Sequence, residues 1–132
     1  MDNLRLDTTP ALEVLKRILE QGGFSAKIYV GTPSTTAPTE YISLLSNGGV
    51  RDGGEYGKQV ILASIGVRNH ANGERNTTRL SALYAEFATA LSDHRSMDGF
   101  DFHVRKQAAV SDVTSLHSGY TNKLINVFSF II

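Results

Sequence analysis

The segment LINVFSFII, at residues 124–132, decides much of the fold because it is almost entirely apolar. A strand with one face in water alternates apolar and polar residues, and this segment does not. One of its faces has Leu124, Phe128, Phe130 and Ile132, and the other has Ile125, Val127 and Ile131, interrupted only by Ser129. Such a strand needs cover on both faces. A layer of helices can cover one face, and the sequence leaves open what covers the other.

Length and composition predict a single domain over residues 1–132 with a substantial core. The formal net charge is zero. Neutrality argues against binding nucleic acid by neutralising phosphates, so we expect no sequence-specific nucleic-acid partner, and it permits copies of the chain to associate. The chain has no cysteine, which excludes disulfides, thiolate zinc sites and a cysteine nucleophile.

The N-terminal residues show no signal-peptide pattern. The longest apolar run is the C-terminal one, which is far shorter than the roughly 20 residues of a membrane helix. We therefore expect synthesis in the cytoplasm and no membrane partner.

Two helices are predicted. The first spans residues 10–21, starts at a proline suited to the first helical turn, and ends at Gly22 and Gly23. The second is capped by Asn76, Thr77 or Thr78 and runs to about residue 91. Its apolar residues recur at helical spacing, the clearest amphipathic pattern in the chain: Leu80, Leu83, Tyr84, Phe87 and Leu91.

Five strands are predicted, at residues 24–30, 41–45, 58–69, 100–110 and 120–132. Residues 1–9 form a polar arm, residues 93–99 a polar connection and residues 111–119 a turn. Because the strands follow one another through loops of hairpin length, we expect an α+β fold. Its sheet is mostly antiparallel, and both helices pack on one face.

The motifs of catalysis and cofactor binding are absent from the sequence. GxSxG, GxGxxG and the Walker lysine motif do not occur, and the four histidines lack metal-ligand spacing. We therefore predict no cofactor, no metal site and no enzymatic activity.

Paired carboxylates leave one enzymatic alternative open. Asp101 is predicted on a strand, with Asp98 just before it and Glu86 on the second helix. A sheet that holds such groups close together can bind the metal ion of a nuclease. The alternative function is a small metal-dependent nuclease that uses Asp101 with Glu86 or Asp98. Solvated acidic side chains explain the same residues without any site.

The order of elements resembles that of a known family. YISLLSNGG (residues 41–49), VILASIGVRN (60–69) and TTRLSALYAEFATAL (77–91) look like the middle of the tail-terminator, tail-completion and minor-capsid proteins of long-tailed bacteriophages. The resemblance in pattern covers most of residues 10–132. It implies a structural protein without catalytic residues.

In this family the subunits form a ring, typically a hexamer, at the head-proximal end of the tail tube. The resemblance therefore implies three kinds of partner: copies of the same chain, a tail-tube protein, and a head–tail connector or neck protein. It also implies a place in the virion, in the tail or neck.

Two segments are predicted to make these contacts. One apolar face of the terminal strand, with Ile125, Val127 and Ile131, is the candidate subunit interface, because a ring subunit buries such a face against its neighbour. Residues 47–57 are rich in glycine and are read as a mobile loop that docks on a partner. The candidate docking residues of that loop are Arg51, Asp52, Glu55 and Tyr56.

Overall fold

The structure, a computed structural model, describes residues 9–31, 39–46, 59–92, 94–104, 111–114 and 119–131. Its elements in chain order are α1 (Thr9–Gln21), β1 (Lys27–Val30), β2 (Glu40–Ser46), β3 (Gln59–Arg68), α2 (Thr77–Leu91), β4 (His94–Met97), β5 (Phe100–Val104), β6 (Ser111–Thr114) and β7 (Tyr120–Ile131). None of the helices in these ranges is long and apolar enough to cross a membrane.

Helix α1 ends where the glycine pair predicts. Gly23 adopts a φ of 80°, a left-handed conformation that costs glycine little. The Gly23 amide donates to the Glu20 carbonyl at 3.1 Å, and the Phe24 amide donates to the Leu19 carbonyl at 3.0 Å. These two bonds form a Schellman motif that satisfies the last carbonyls of the helix. The chain is thereby turned toward β1.

Helix α2 begins at an asparagine cap. The Asn76 side chain accepts from the Arg79 amide at 3.2 Å, which satisfies an amide that has no partner inside the helix. The predicted stripe packs inward, with Leu80, Leu83, Phe87 and Leu91 all buried. The two helices approach closely, since a Cβ built on Gly22 would lie 2.7 Å from the Ala90 Cβ.

The strands form one sheet in the order β1-β2-β3-β7-β5-β4, and β6 also pairs with β7. Strands β3 and β7 are central and antiparallel over ten residue pairs, from Gln59↔Ser129 to Arg68↔Tyr120. All pairs are antiparallel except β1 with β2. The predicted α+β fold is therefore confirmed.

The parallel pairing of β1 with β2 is the exception in the predicted, mostly antiparallel sheet, although a loop of hairpin length was expected between these two strands. Ile28 lies beside Ile42, and Val30 lies beside Leu44. The apolar pattern of two short strands specifies which residues share a face, but it does not specify strand direction.

Two short strands occupy segments that the sequence predicted as connections. Strand β4 lies in residues 93–99, and β6 lies in residues 111–119. Strands β4 and β5 form a hairpin whose turn is Asp98 and Gly99, with φ values of 51° and 86°. Positive φ at both central residues defines the turn that Asp-Gly favours between antiparallel strands. This Asp-Gly turn was not predicted from the sequence because the polar residues of β4 do not show the pattern of a strand.

The main core lies between the helices and one face of the sheet. Its members on β3 are Ile61, Ala63, Ile65 and Val67, and they pack in the same buried cluster as Leu15, Ile18 and Phe87 of the helices. Burying one such large apolar side chain contributes roughly 1.5–3 kcal/mol. This layer of side chains sets which face of the sheet is left for other contacts.

An ion pair joins α2 to β2 at the border of this core. The Arg79 guanidinium donates to both carboxylate oxygens of Glu40, from Nε at 2.5 Å and from Nη2 at 2.7 Å. Hydrogen bonding by Arg79 holds the pKa of Glu40 below its ordinary value. The pair fixes the first turn of α2 against the start of β2.

Candidate interaction face of the sheet

The two faces of β7 are assigned by its neighbours. Ile125 lies opposite Ala63, and Val127 lies opposite Ile61. All four are fully buried in the core beneath the helices. The Lys123 ammonium lies 5.5 Å from the Tyr84 ring centroid on α2, which places the same face of β7 toward the helices.

The predicted subunit interface is therefore wrong for Ile125 and Val127. Both side chains are 0% exposed and cannot reach a neighbouring molecule in this fold. The side chain of Ile131 lies outside the described residues, although its backbone pairs with Phe100. Two apolar faces were visible in the sequence, but only helix packing decided which of them is covered.

The opposite face of the sheet has no described helix on it. At one end of this surface, which we call the open face, the apolar side chains are only half-buried. They come from three neighbouring strands and comprise Leu45, Val60, Leu62, Leu124, Phe128 and Phe130. The half-buried Asn126 lies among them, opposite Leu62. Because large exposed apolar patches are often contact surfaces, this end of the open face is the candidate interaction surface.

A tyrosine cluster occupies the other end of the open face. It consists of Tyr29, Tyr41 and Tyr120 and is separate from the main core. Ring centroids lie 6.2 Å apart for Tyr29 and Tyr41, and 5.9 Å apart for Tyr41 and Tyr120. Tyr41 is 2% exposed. This end of the face is already packed against itself and offers less apolar surface.

Gly66 makes the tyrosine cluster possible. A Cβ built at this position would lie 2.4 Å from the Tyr41 ring, far inside van der Waals contact. Glycine in the interior of a strand often marks a close approach of this kind. Gly66 is thus the sequence signal that could have predicted the cluster, which the apolar pattern alone did not reveal.

A buried asparagine lies between the two ends of the open face. The Asn122 Nδ2 donates to Ser64 Oγ at 2.6 Å and to Tyr41 Oη at 3.2 Å. The Asn122 Oδ1 is buried without a hydrogen-bond partner among the described residues. Leaving such an atom unpaired costs roughly 1–3 kcal/mol. The Asn122 amide thus links β7 to β3 and β2 beneath the surface of the open face.

The carboxylates of the nuclease hypothesis are not brought together. Asp101 lies on the open face, where it accepts from Ser96 Oγ at 2.6 Å and contacts His103 Nε2 at 2.9 Å. Glu86 lies on α2 and accepts from the Ser25 amide at 2.8 Å. Asp98 lies in the β4–β5 turn and pairs with Arg17 at 2.6 Å. The described residues contain no group of three or more side chains placed to hold a metal ion.

The predicted docking loop lies outside the described residues. This applies to Arg51, Asp52, Glu55 and Tyr56, so their role stays a prediction.

Comparison with known proteins adds no assignment. No family model and no curated protein matches this chain. The functional argument therefore rests on the geometry of the open face and on the pattern of the sequence.

Proposed function

We propose that this chain is a structural assembly protein of a long-tailed bacteriophage. In this proposal it forms a ring, typically of six copies, at the head-proximal end of the tail, where it terminates the tail tube and joins it to the head. Its partners are then copies of itself, the tail-tube protein and a head–tail connector or neck protein. Its place is the tail or neck of the virion.

The observation that supports the proposal best is the open face. Leu62, Leu124 and Phe128 come from the two central strands and are only half-buried within one chain. Burying apolar surface contributes about 25 cal/mol per Å². Contact with another subunit would bury the exposed part of these side chains. When each subunit makes the same contact with the next through a fixed rotation, the subunits close into a ring.

The charge of the chain is compatible with self-association. The formal net charge is zero, so copies of the chain do not repel one another at long range as copies of a strongly charged chain would.

Native mass spectrometry and electron microscopy of the purified chain test the proposal. We expect a closed ring that binds to ends of tail tubes. Replacing Leu124 with Gln should dissociate the ring while each chain stays folded. The matched control is Ala85→Gln, which changes an exposed position on α2 and should leave the ring intact. A chain that stays monomeric at every concentration and in the presence of tail tubes would contradict the proposal.

A further inference from the structure

A concave site lies at the end of the sheet beside the tyrosine cluster. The cavity has a volume of about 470 Å³ and is open to solvent, because most of its lining residues are exposed. Its walls come from the end of β3, the turn that follows, and the start of β7. Arg68, His70 and Tyr120 supply the larger side chains.

The Arg68 guanidinium is held in place at this cavity. Its Nη2 donates to the Tyr120 hydroxyl at 3.1 Å, and its Cζ lies 5.5 Å from the centre of the Tyr120 ring. Tyr120 itself is only 6% exposed, so it provides a fixed support. An arginine restrained in this way loses less side-chain entropy when a ligand binds.

Among the described residues, Tyr120 is the side chain to which the Arg68 guanidinium donates a hydrogen bond and against whose ring it lies. Guanidinium presents several N–H groups in a planar fork, and most of them are left for a ligand. That fork matches the two oxygens of a carboxylate or a phosphate.

The turn on the other side of the cavity is also well ordered. The His70 amide donates to the Glu74 carbonyl at 2.8 Å, and the Gly73 amide donates to the His70 carbonyl at 2.8 Å. The Asn72 side chain accepts from the Glu74 amide at 3.0 Å. The Asn69 amide joins the turn to β7 by donating to the Gly119 carbonyl at 2.7 Å. The wall that presents His70 is thus braced by hydrogen bonds.

The charge of the cavity favours an anion. Arg68 and His70 line it, and none of the lining side chains among the described residues is acidic. The nearest carboxylate in sequence, Glu74, accepts a hydrogen bond from Asn72 Nδ2 at 2.6 Å and is not part of the lining.

We propose that this cavity binds a small anion through a carboxylate or phosphate group, with Arg68 as the principal contact. The site lies at the other end of the open face from the apolar side chains proposed to contact a neighbouring subunit.

Isothermal titration calorimetry of the full chain, in whatever oligomeric form it adopts, tests this site. Inorganic phosphate and acetate are the two probes, and they distinguish a tetrahedral from a planar ligand group. We expect saturable binding of at least one of them. Arg68→Gln should weaken that binding by about tenfold or more, because hydrogen bonds to a charged group are lost.

The matched control is Arg75→Gln. Arg75 is an exposed cation that follows the same turn but does not line the cavity, so this change should leave the affinity nearly unaltered. Arg68→Lys keeps the charge without the planar fork and should bind with intermediate affinity. It also replaces the glutamine variant if that chain does not fold.

Three results would overturn the proposal: no saturable binding of either probe, equal affinity in the parent chain and the Arg68 variants, or equal weakening by Arg75→Gln. None of these results depends on whether the chain forms a ring.

Discussion

The two faces of the central strands differ in what they bury. On the helix side, Ile61, Ile65, Ile125 and Val127 are all 0% exposed. On the open face, their chain neighbours Leu62 and Leu124 are half-buried, and the half-buried Asn126 lies opposite Leu62. One face is completely buried within a single chain, whereas the other combines partly exposed apolar side chains with polar groups. The same strands therefore build the core with one face and leave the other partly exposed.

The largest expected difference between the two faces is the loss of stability when a large apolar side chain is replaced by alanine. Ile125→Ala leaves a cavity in the core and should lower the free energy of unfolding by about 2–5 kcal/mol. Leu124→Ala, one residue earlier on the same strand, should cost less than half as much in the monomer, because water already reaches that side chain. Urea unfolding of dilute protein measures both. Equal losses would show that the open face is as completely packed as the helix side.

The tyrosine cluster provides the next test, since it is the packed part of the open face. Gly66→Ala forces a Cβ against the Tyr41 ring and should destabilise by about 1–3 kcal/mol. Adding Tyr41→Ala removes the clash, so the two losses should not be additive. A double-mutant cycle by thermal unfolding measures this coupling. Strictly additive losses of stability would mean that the Tyr41 aromatic ring moves away from the new Cβ without destabilising the chain.

One substitution in the helix-side core is expected to raise the stability of the chain. The Ser129 side chain is 0% exposed, and its hydroxyl has no hydrogen-bond partner among the described residues. Ser129→Ala removes an unsatisfied polar group and should stabilise by about 1 kcal/mol. Differential scanning calorimetry should show a higher melting temperature. A lower one would mean that the hydroxyl is satisfied in solution.

The smallest effect is the acid dependence of the pair between Glu40 and Arg79. The pKa of Glu40 is lowered in the folded state by the hydrogen bonds from Arg79. Its stabilisation is therefore fully present above the ordinary value of 4.5 and is lost as the pH falls through the lower folded pKa. The contribution should stay below about 1 kcal/mol, because both side chains are partly exposed.

The measurement compares the parent chain with Glu40→Gln in unfolding experiments at several pH values. The difference in the free energy of unfolding should be largest above pH 4.5 and should shrink as the pH falls, because the pKa of Glu40 is lowered in the folded state. A difference that is the same at every pH would contradict the prediction.

The helices and central strands could be predicted because each depends on a local pattern. Gly22 and Gly23 end α1, the stripe from Leu80 to Leu91 defines α2, and the alternation through Ile61 and Ile65 defines β3. Strands β4 and β6 could not be predicted in the same way. They are short, and their pairing with β5 and β7 provides the backbone hydrogen bonds that make them strands.

The candidate sites were less predictable than the fold. Arg68 is far from Tyr120 and Asn122 in the sequence, and only the pairing of β3 with β7 brings it to them. Gly66 was a local signal for the tyrosine cluster alone. The separation of Asp101 from Glu86 likewise follows from their places on opposite sides of the sheet.

Local periodicity is sufficient to predict the order of the main elements and the two apolar faces of the terminal strand. It does not predict that Ile125 and Val127 lie beneath the helices and that Leu124 and Phe128 lie on the open face, which follows from the packing of the folded chain. Alternation distinguishes the two faces of a strand without specifying what packs on each. The choice between them depends on strand register and on how the helices pack across the sheet.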